Sequence, residues 1–404
     1  MKKNWYYLKF QLMYFIFVSA FGFFFPYFNV YLERNLGFSG SEIGLVISIS
    51  LLASVVISPL WGALSDRAGK YKMLLKILLF AYAIFAWALF QMTALFWVIL
   101  FTTLMEVVGI GMSPMLDVLA VDYCERTGKD FGKLRIAGSI GWVFGSYAAG
   151  FLITTLLFDV GTAMFWPLIS FMVVAFVLAL FIPDLEKKEE IETEVSEVGK
   201  PSVWLLFKNK AFVFLMVFNF LTLAIIDAVI AFAGNHLVLT LGAEPSAIGW
   251  MNVIAAAPEV IFFLFVTKLM MKMGVKKFYM LSVLTLIGRF VIYASTSSVA
   301  LFLAAGGVGS FMMAAGGIGN FLYIKKHVQK NLTGTAFVVN VAILTLGRAI
   351  FSLIFGVIYD WFGSFMLFKF SLVFVAIAFV ILLPTRHFDV FDGESVDVGE
   401  LDKN

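Results

Sequence analysis

Apolar residues run in long blocks separated by short polar breaks, and twelve of the blocks are long enough to cross a membrane. A helix needs about 20 mostly apolar residues to span the hydrocarbon. The blocks predict spans over 10–32, 42–64, 73–93, 95–121, 134–157 and 161–182, then 211–234, 245–270, 277–296, 298–322, 333–358 and 362–383. The first opens Met1-Lys2-Lys3 and stays apolar to about Leu32. That is too long for the core of a signal peptide, and no small-residue cleavage site follows, so the segment reads as the first span.

Composition agrees with this pattern. A chain that is 62% hydrophobic and 14% charged carries more apolar side chain than a soluble core of 404 residues can hide. The expected fold class is therefore an all-α membrane protein of twelve transmembrane helices in two pseudo-symmetric six-helix bundles. Basic residues set the orientation. Lys2, Lys3 and Lys9, the group Arg67 to Lys76, the group Arg126 to Arg135, the linker lysines, Lys268 to Lys277, Lys325 to Lys330 and Arg386 all fall on one side, whereas Arg34 and Lys369 alone fall near the other. Both termini are expected in the cytoplasm of a bacterial-type plasma membrane.

The longest polar stretch, with Glu186-Lys187-Lys188-Glu189-Glu190 at its centre, separates the sixth and seventh spans. It divides the chain into an N-terminal bundle (1–182), a cytoplasmic linker (183–210), a C-terminal bundle (211–384) and an acidic cytoplasmic tail (385–404). An internal repeat supports the division. Leu36-Gly37 and Ser41-Glu42-Ile43-Gly44 recur as Leu241-Gly242 and Ser246-Ala247-Ile248-Gly249, and the same offset carries Gly69 onto Gly274 and Lys72 onto Lys277.

The loop after the second span reads Gly62-Ala63-Leu64-Ser65-Asp66-Arg67-Ala68-Gly69-Lys70-Tyr71-Lys72. Ordinary charge bias explains the lysines but not the spacing of Gly and Asp. Gly62 would permit close helix contact, Gly69 a tight turn, and Asp66 could cap a helix or pair with a cation at a cytoplasmic gate. The loop resembles the signature of the major facilitator superfamily, which implies the twelve-helix fold of secondary transporters and a gate built on Gly62, Asp66, Arg67, Gly69, Lys70 and Lys72.

A second constellation joins spans four and five. Asp117 follows Pro114, and Arg135, Gly138 and Trp142 share one helix face at i, i+3 and i+7. A guanidinium, a gap and an indole make a sugar-sized recess in which Arg135 donates to hydroxyls or a carboxylate, Trp142 stacks and Asp117 accepts from hydroxyls. A structural ion pair beside a packing aromatic explains the same residues equally well. The stretch resembles the lactose permease family of sugar and proton symporters, in which an acidic residue, Arg and Trp at these spacings bind the sugar. The phenylpropionate-permease-like branch is also similar, sharing the Asp, the Gly-Lys-x-Arg run and a glutamate like Glu259. Helix ten departs from the lactose permease pattern, because residues 306–321 carry no titratable group.

Five further ionisable residues fall inside spans, where each costs several kcal/mol at mid-bilayer and faces the protein interior as a rule. Glu106 lies eleven residues before Asp117, about three turns, and is expected to line the same cavity. Glu259 and Arg289 are the candidate proton-coupling pair, Arg289 falling where the lactose permease family has a helix-nine arginine. Asp227 and Arg348 are expected to form a charge pair between helices seven and eleven. His236, His327 and His387 fit no metal site or triad and read as surface residues. Glycines crowd helices five and ten, where they suit either close static packing or sliding surfaces.

These features point to a proton-coupled transporter that takes up a sugar, oligosaccharide or similar small polar solute by alternating access. Alternatives are a nucleoside or aromatic-acid permease, or an exporter of amphipathic compounds, which the 47 phenylalanines would suit. No Walker loop is present, so ATP is not the direct energy source. An enzyme, a bound metal or cofactor and a nucleic-acid partner are not expected. The expected partners are the solute, protons and membrane lipids, with the chain acting as a monomer. The single cysteine, Cys124, excludes an internal disulfide.

Overall fold

A computed structural model describes residues 2–184 and 203–385. The expected linker 183–210 and tail 385–404 thus lie largely outside the described residues. Twelve long helices follow one another, each labelled here in chain order: α1 (Lys2–Arg34), α2 (Gly40–Ala68), α3 (Tyr71–Phe90), α4 (Leu95–Thr127), α5 (Phe131–Thr154) and α6 (Val160–Phe181). They continue with α7 (Lys210–Thr240), α8 (Ser246–Met273), α9 (Val275–Ser295), α10 (Val299–His327), α11 (Thr333–Phe362) and α12 (Ser364–Leu382). Among the described residues eleven are long and apolar enough to cross a membrane, and α8 is helical over a comparable length. The end of α1 lies at one face, the far face, together with the turns that follow α3, α5, α7 and α11.

The helices start where side chains replace missing backbone partners. Asp130 accepts from the Lys133 N–H, Asp159 from Thr162, Asn209 from Ala211 and Phe212, and Ser298 from Leu301. Ser39 and Glu42 form a reciprocal capping box at α2. The repeat is visible in the backbone, since Gly37 and Gly242, and Gly69 and Gly274, all adopt positive φ. Only glycine takes that conformation without cost.

The chain divides into two compact units. One comprises residues 1–196, 228–253 and 348–364, and the other 197–227, 254–347 and 365–404. In the first, α1 packs on α5 and α6, and α3 on α4 and α6. The α1 and α5 backbones touch, because a Cβ at Gly145 would strike Phe23 N and one at Gly22 would meet Trp142 O and Ser146 N. In the second, α10 is irregular, with a break at Gly309 and a π turn over Ala315–Gly319. Its glycines are filled by side chains: Arg289 against Gly309, Leu223 against Gly316, and Tyr279 against Gly319. In helix five, Gly141 and Gly145 thus serve backbone contact, whereas these three glycines of helix ten admit large side chains.

Two expectations are corrected. A Cβ at Gly62 would have no neighbour within 4 Å among the described residues, since the glycine faces outward; the close approach of α2 and α4 is made instead by Gly111 under the Trp61 ring. His236 is fully buried rather than on the surface, and its Nδ1 lies 2.7 Å from Ser364 Oγ in the last turn of α7. His327 is partly covered, with its ring 4.4 Å from that of Tyr323, and His387 lies outside the described residues.

Candidate functional site

Asp117 and Arg135 meet. Arg135 Nη1 donates to Asp117 Oδ2 at 2.6 Å across α4 and α5, and Tyr14 of α1 donates its hydroxyl to Asp117 Oδ1 at 2.5 Å. Both carboxylate oxygens are therefore engaged, each by a different helix. The Arg135 side chain keeps 54% of its surface accessible and Asp117 28%, so the pair borders open space. Charge-assisted contacts of this kind are short and orienting.

Tyr14 reaches Asp117 because Gly138 has no side chain. A Cβ there would meet Val18 and Tyr14, so the gap expected to receive solute is filled by α1. Phe131, at the start of α5, packs edge-on to the Tyr14 ring with centroids 6.5 Å apart. Trp142 is half-buried two turns along α5 from Arg135. The anion, cation and phenol thus meet where α1, α4 and α5 pack, and the indole follows further along α5.

Glu106 keeps accessible surface while being closely surrounded by protein, which places it at an internal space. Its electrostatic neighbours are Arg348 of α11 and the buried Tyr82 of α3. One turn before Glu106, Thr102 buries a hydroxyl without a partner among the described residues, as does Ser352 one turn beyond Arg348. Asp227 and Arg348 belong to different compact units.

Arg289 is 5% exposed, its guanidinium lies 5.0 Å from the Tyr293 ring centroid, and its Nε has no hydrogen-bond partner among the described residues. The Glu259 side chain lies outside the described residues, as do those of Asp66 and Arg67. Gly69 ends α2 at positive φ, with its N–H donating to Ser65 O. Lys70 is exposed beside it, and Lys72 donates to Leu180 O at the end of α6. A groove of about 440 Å³ between α3 and α6 is apolar apart from Lys76, and has nothing to orient a polar solute.

Comparison with known proteins places these helices in a family. The model of the MFS_1 like family matches residues 7–370. This chain belongs to that family. As a major facilitator it is a transporter and an integral membrane protein, not an enzyme. Among its relatives, the uncharacterized transporter YwbF of Bacillus subtilis (strain 168) is 25% identical over 79% of this chain and 77% of that protein. Maltose permease of Geobacillus stearothermophilus is 28% identical over 71% of this chain and 70% of its own length. The crystal structure of the nucleoside transporter NupG superposes with a TM-score of 0.80 at 18% identity, covering 94% of this chain and all of that one. Its likeness establishes the twelve-helix major facilitator fold.

Sequence reasoning missed Tyr14 and a far-face group made by Glu33, Asn235, Tyr359 and Asp360. Tyr14 is one of several scattered polar positions in a Phe-rich block, and no spacing linked it to Asp117. Glu33 and Asp360 stand at the ends of spans, where a carboxylate reads as ordinary interfacial polarity.

Proposed function

We propose that this major facilitator is a secondary transporter that takes up a small polar solute, a sugar or oligosaccharide first, by alternating access and in exchange for a proton gradient. The reading rests on the accessible Asp117–Arg135 pair with the Tyr14 hydroxyl on its second oxygen. A charge pair turned toward lipid would cost several kcal/mol, so its open side is assigned to a water-filled cavity. A solute hydroxyl pair can replace Tyr14 and Arg135 on the carboxylate, with Trp142 stacking on an apolar face and Glu106 binding deeper in the cavity.

The relationship to maltose permease favours a sugar. Glu259 and Arg289 remain the candidate coupling pair, and Asp227 with Arg348 a charge pair. The bias of basic residues puts the start of α1 in the cytoplasm and the far face outside. The bundles 1–182 and 211–384 would then rock about the site, with the loop Gly62 to Lys72 at the inner gate.

Uptake into right-side-out vesicles, with disaccharides, nucleosides and aryl acids as candidate solutes, tests the reading. Asp117→Ala and Arg135→Ala are expected to lower uptake at least about 100-fold while the protein stays inserted, since each leaves a charge without its partner. Wild-type uptake in both variants would remove the site assignment. Glu259→Gln should abolish accumulation driven by a pH gradient, and unchanged accumulation would move the coupling site elsewhere.

A further inference from the structure

Within the first compact unit, two seams close at the far face, and the internal repeat makes them equivalents. In one, α2 meets α11: a Cβ at Gly40 would strike Gly356 O at 2.8 Å, and one at Gly44 would strike Ser352 O at 2.5 Å. In the other, α8 meets α5: a Cβ at Gly249 would lie 2.9 Å from Tyr147 Cα, and one at Gly150 2.8 Å from Ser246 Cα. The groups that bridge them differ in charge. At the second seam the Thr154 hydroxyl accepts from the Ser246 N–H at 3.2 Å, and beside it the Tyr27 hydroxyl of α1 donates to Ser146 O of α5 at 2.9 Å. At the first, the Asp360 carboxylate accepts from Gly40 N–H at 2.6 Å, Ser41 N–H at 2.8 Å and the Ser41 hydroxyl at 2.5 Å.

Glu33 extends the charged seam. Its carboxylate accepts from Asn235 Nδ2 at 2.5 Å and from the Tyr359 hydroxyl at 3.0 and 3.1 Å, tying α1 to α7 and α11. Neither carboxylate has an ion pair among the described residues, and the partners named above are neutral N–H and O–H groups. An ionised carboxylate is acceptor-only, whereas a protonated one carries a donor of its own and is a weaker acceptor. Facing two backbone N–H groups at a helix N-terminus, the ionised form of Asp360 is the one that fits.

We propose that Asp360 and Glu33 form a carboxylate latch that holds the α2·α11 seam shut at the far face, with Asp360 seated on the N-terminus of α2. Asp360 is exposed, so the latch faces the medium. The other titratable groups on the elements packed here are Arg34 on α1, Glu42 on α2, His236 on α7 and Tyr359 on α11. Glu42 is held by the Ser39 N–H and hydroxyl, and His236 by Ser364. The inference rests on the alternating-access reading and makes Asp360 a positioning residue for transport, acting through the N-terminus of α2.

The full chain in liposomes, with Cys124 replaced by serine, carries one reporter cysteine at a time. Ser48→Cys reports the charged seam, where Ser48 is buried and donates to Ala349 O. Ser146→Cys, also buried, reports the neutral one. A membrane-impermeant maleimide is applied from the far face. Asp360→Asn is expected to raise labelling of Ser48→Cys about tenfold, the worth of a charge-assisted contact, while Ser146→Cys stays protected, and Asp360→Glu should restore most of the protection.

Equal labelling with and without Asp360 overturns the latch. So does a rise at both reporters, which would mean general loosening. If saturating solute changes labelling but Asp360→Asn does not, the latch alone falls. If Ser48→Cys stays unlabelled under every condition, the alternating-access reading falls with it.

Discussion

The two far-face seams share glycine packing and differ in how the N-terminus of the incoming helix is satisfied. At α2, Ser39 serves the Glu42 N–H and the Ile43 N–H finds Ser39 O, which leaves Gly40 and Ser41 to the Asp360 carboxylate of another helix. At α8, Ala247 and Ile248 use carbonyls of their own loop, Glu244 and Pro245, and only Ser246 depends on a distant group, Thr154. Parting the first seam would therefore orphan two backbone donors and a carboxylate, and parting the second would orphan one donor. A duplicated unit has been made asymmetric by one residue, and the asymmetry concerns charge rather than shape.

The strongest way to probe that comparison is to attack what the seams share. Gly44→Val and Gly249→Val each force a side chain into backbone on the facing helix. Overpacking of this kind costs about 1–3 kcal/mol against the closed state, roughly a tenfold to hundredfold loss of its population. Both variants should lose uptake to a similar degree while still binding solute, as measured by thermal shift in detergent. A large loss in one and none in the other would show that the seams do not open together.

A smaller effect separates the two chemistries. Tyr27→Phe removes the one phenol of the neutral seam and leaves Ser146 O without that donor, at a cost of about 1 kcal/mol. The variant should lower thermal stability by a few degrees and leave far-face labelling of Ser48→Cys unchanged. Glu33→Gln on the charged side keeps an acceptor for Asn235 and Tyr359, so its cost in thermal stability should be similar, but it should raise that labelling. Equal labelling of Ser48→Cys in the two variants would erase the distinction between the seams.

Much of the fold was legible because it is local. Twelve apolar blocks, the glycines that follow six of the helices at positive φ and the repeat between halves all leave their mark within a few residues. Asp117 and Arg135 were legible for the same reason, being joined by one short turn. What could not be read was register between distant helices. Nothing in the order of residues ties Tyr14 to Asp117, or Glu33 to Asn235 and Tyr359, because those contacts are set by how α1, α7 and α11 rotate and slide on packing. Gly62 and His236 failed for a related reason, since a glycine promises contact and a histidine beside a turn promises exposure only if the helix presents that side.

The smallest effect concerns the cap that α2 supplies for itself. Ser39→Ala deletes the capping box, which ordinarily costs about 1 kcal/mol. Here Asp360 still holds Gly40 and Ser41, so only the Glu42 N–H loses its partner and the loss should fall at the low end of that range, measured as a shift in thermal stability. Combining Ser39→Ala with Asp360→Ala strips the first turn of both the Ser39 and the Asp360 acceptors. The double variant should then cost more than the sum of the singles, because a frayed end leaves its N–H donors no acceptor to share. Strict additivity would mean that the two carboxyl and hydroxyl groups act on α2 independently, and that Asp360 binds the helix end without helping to form it.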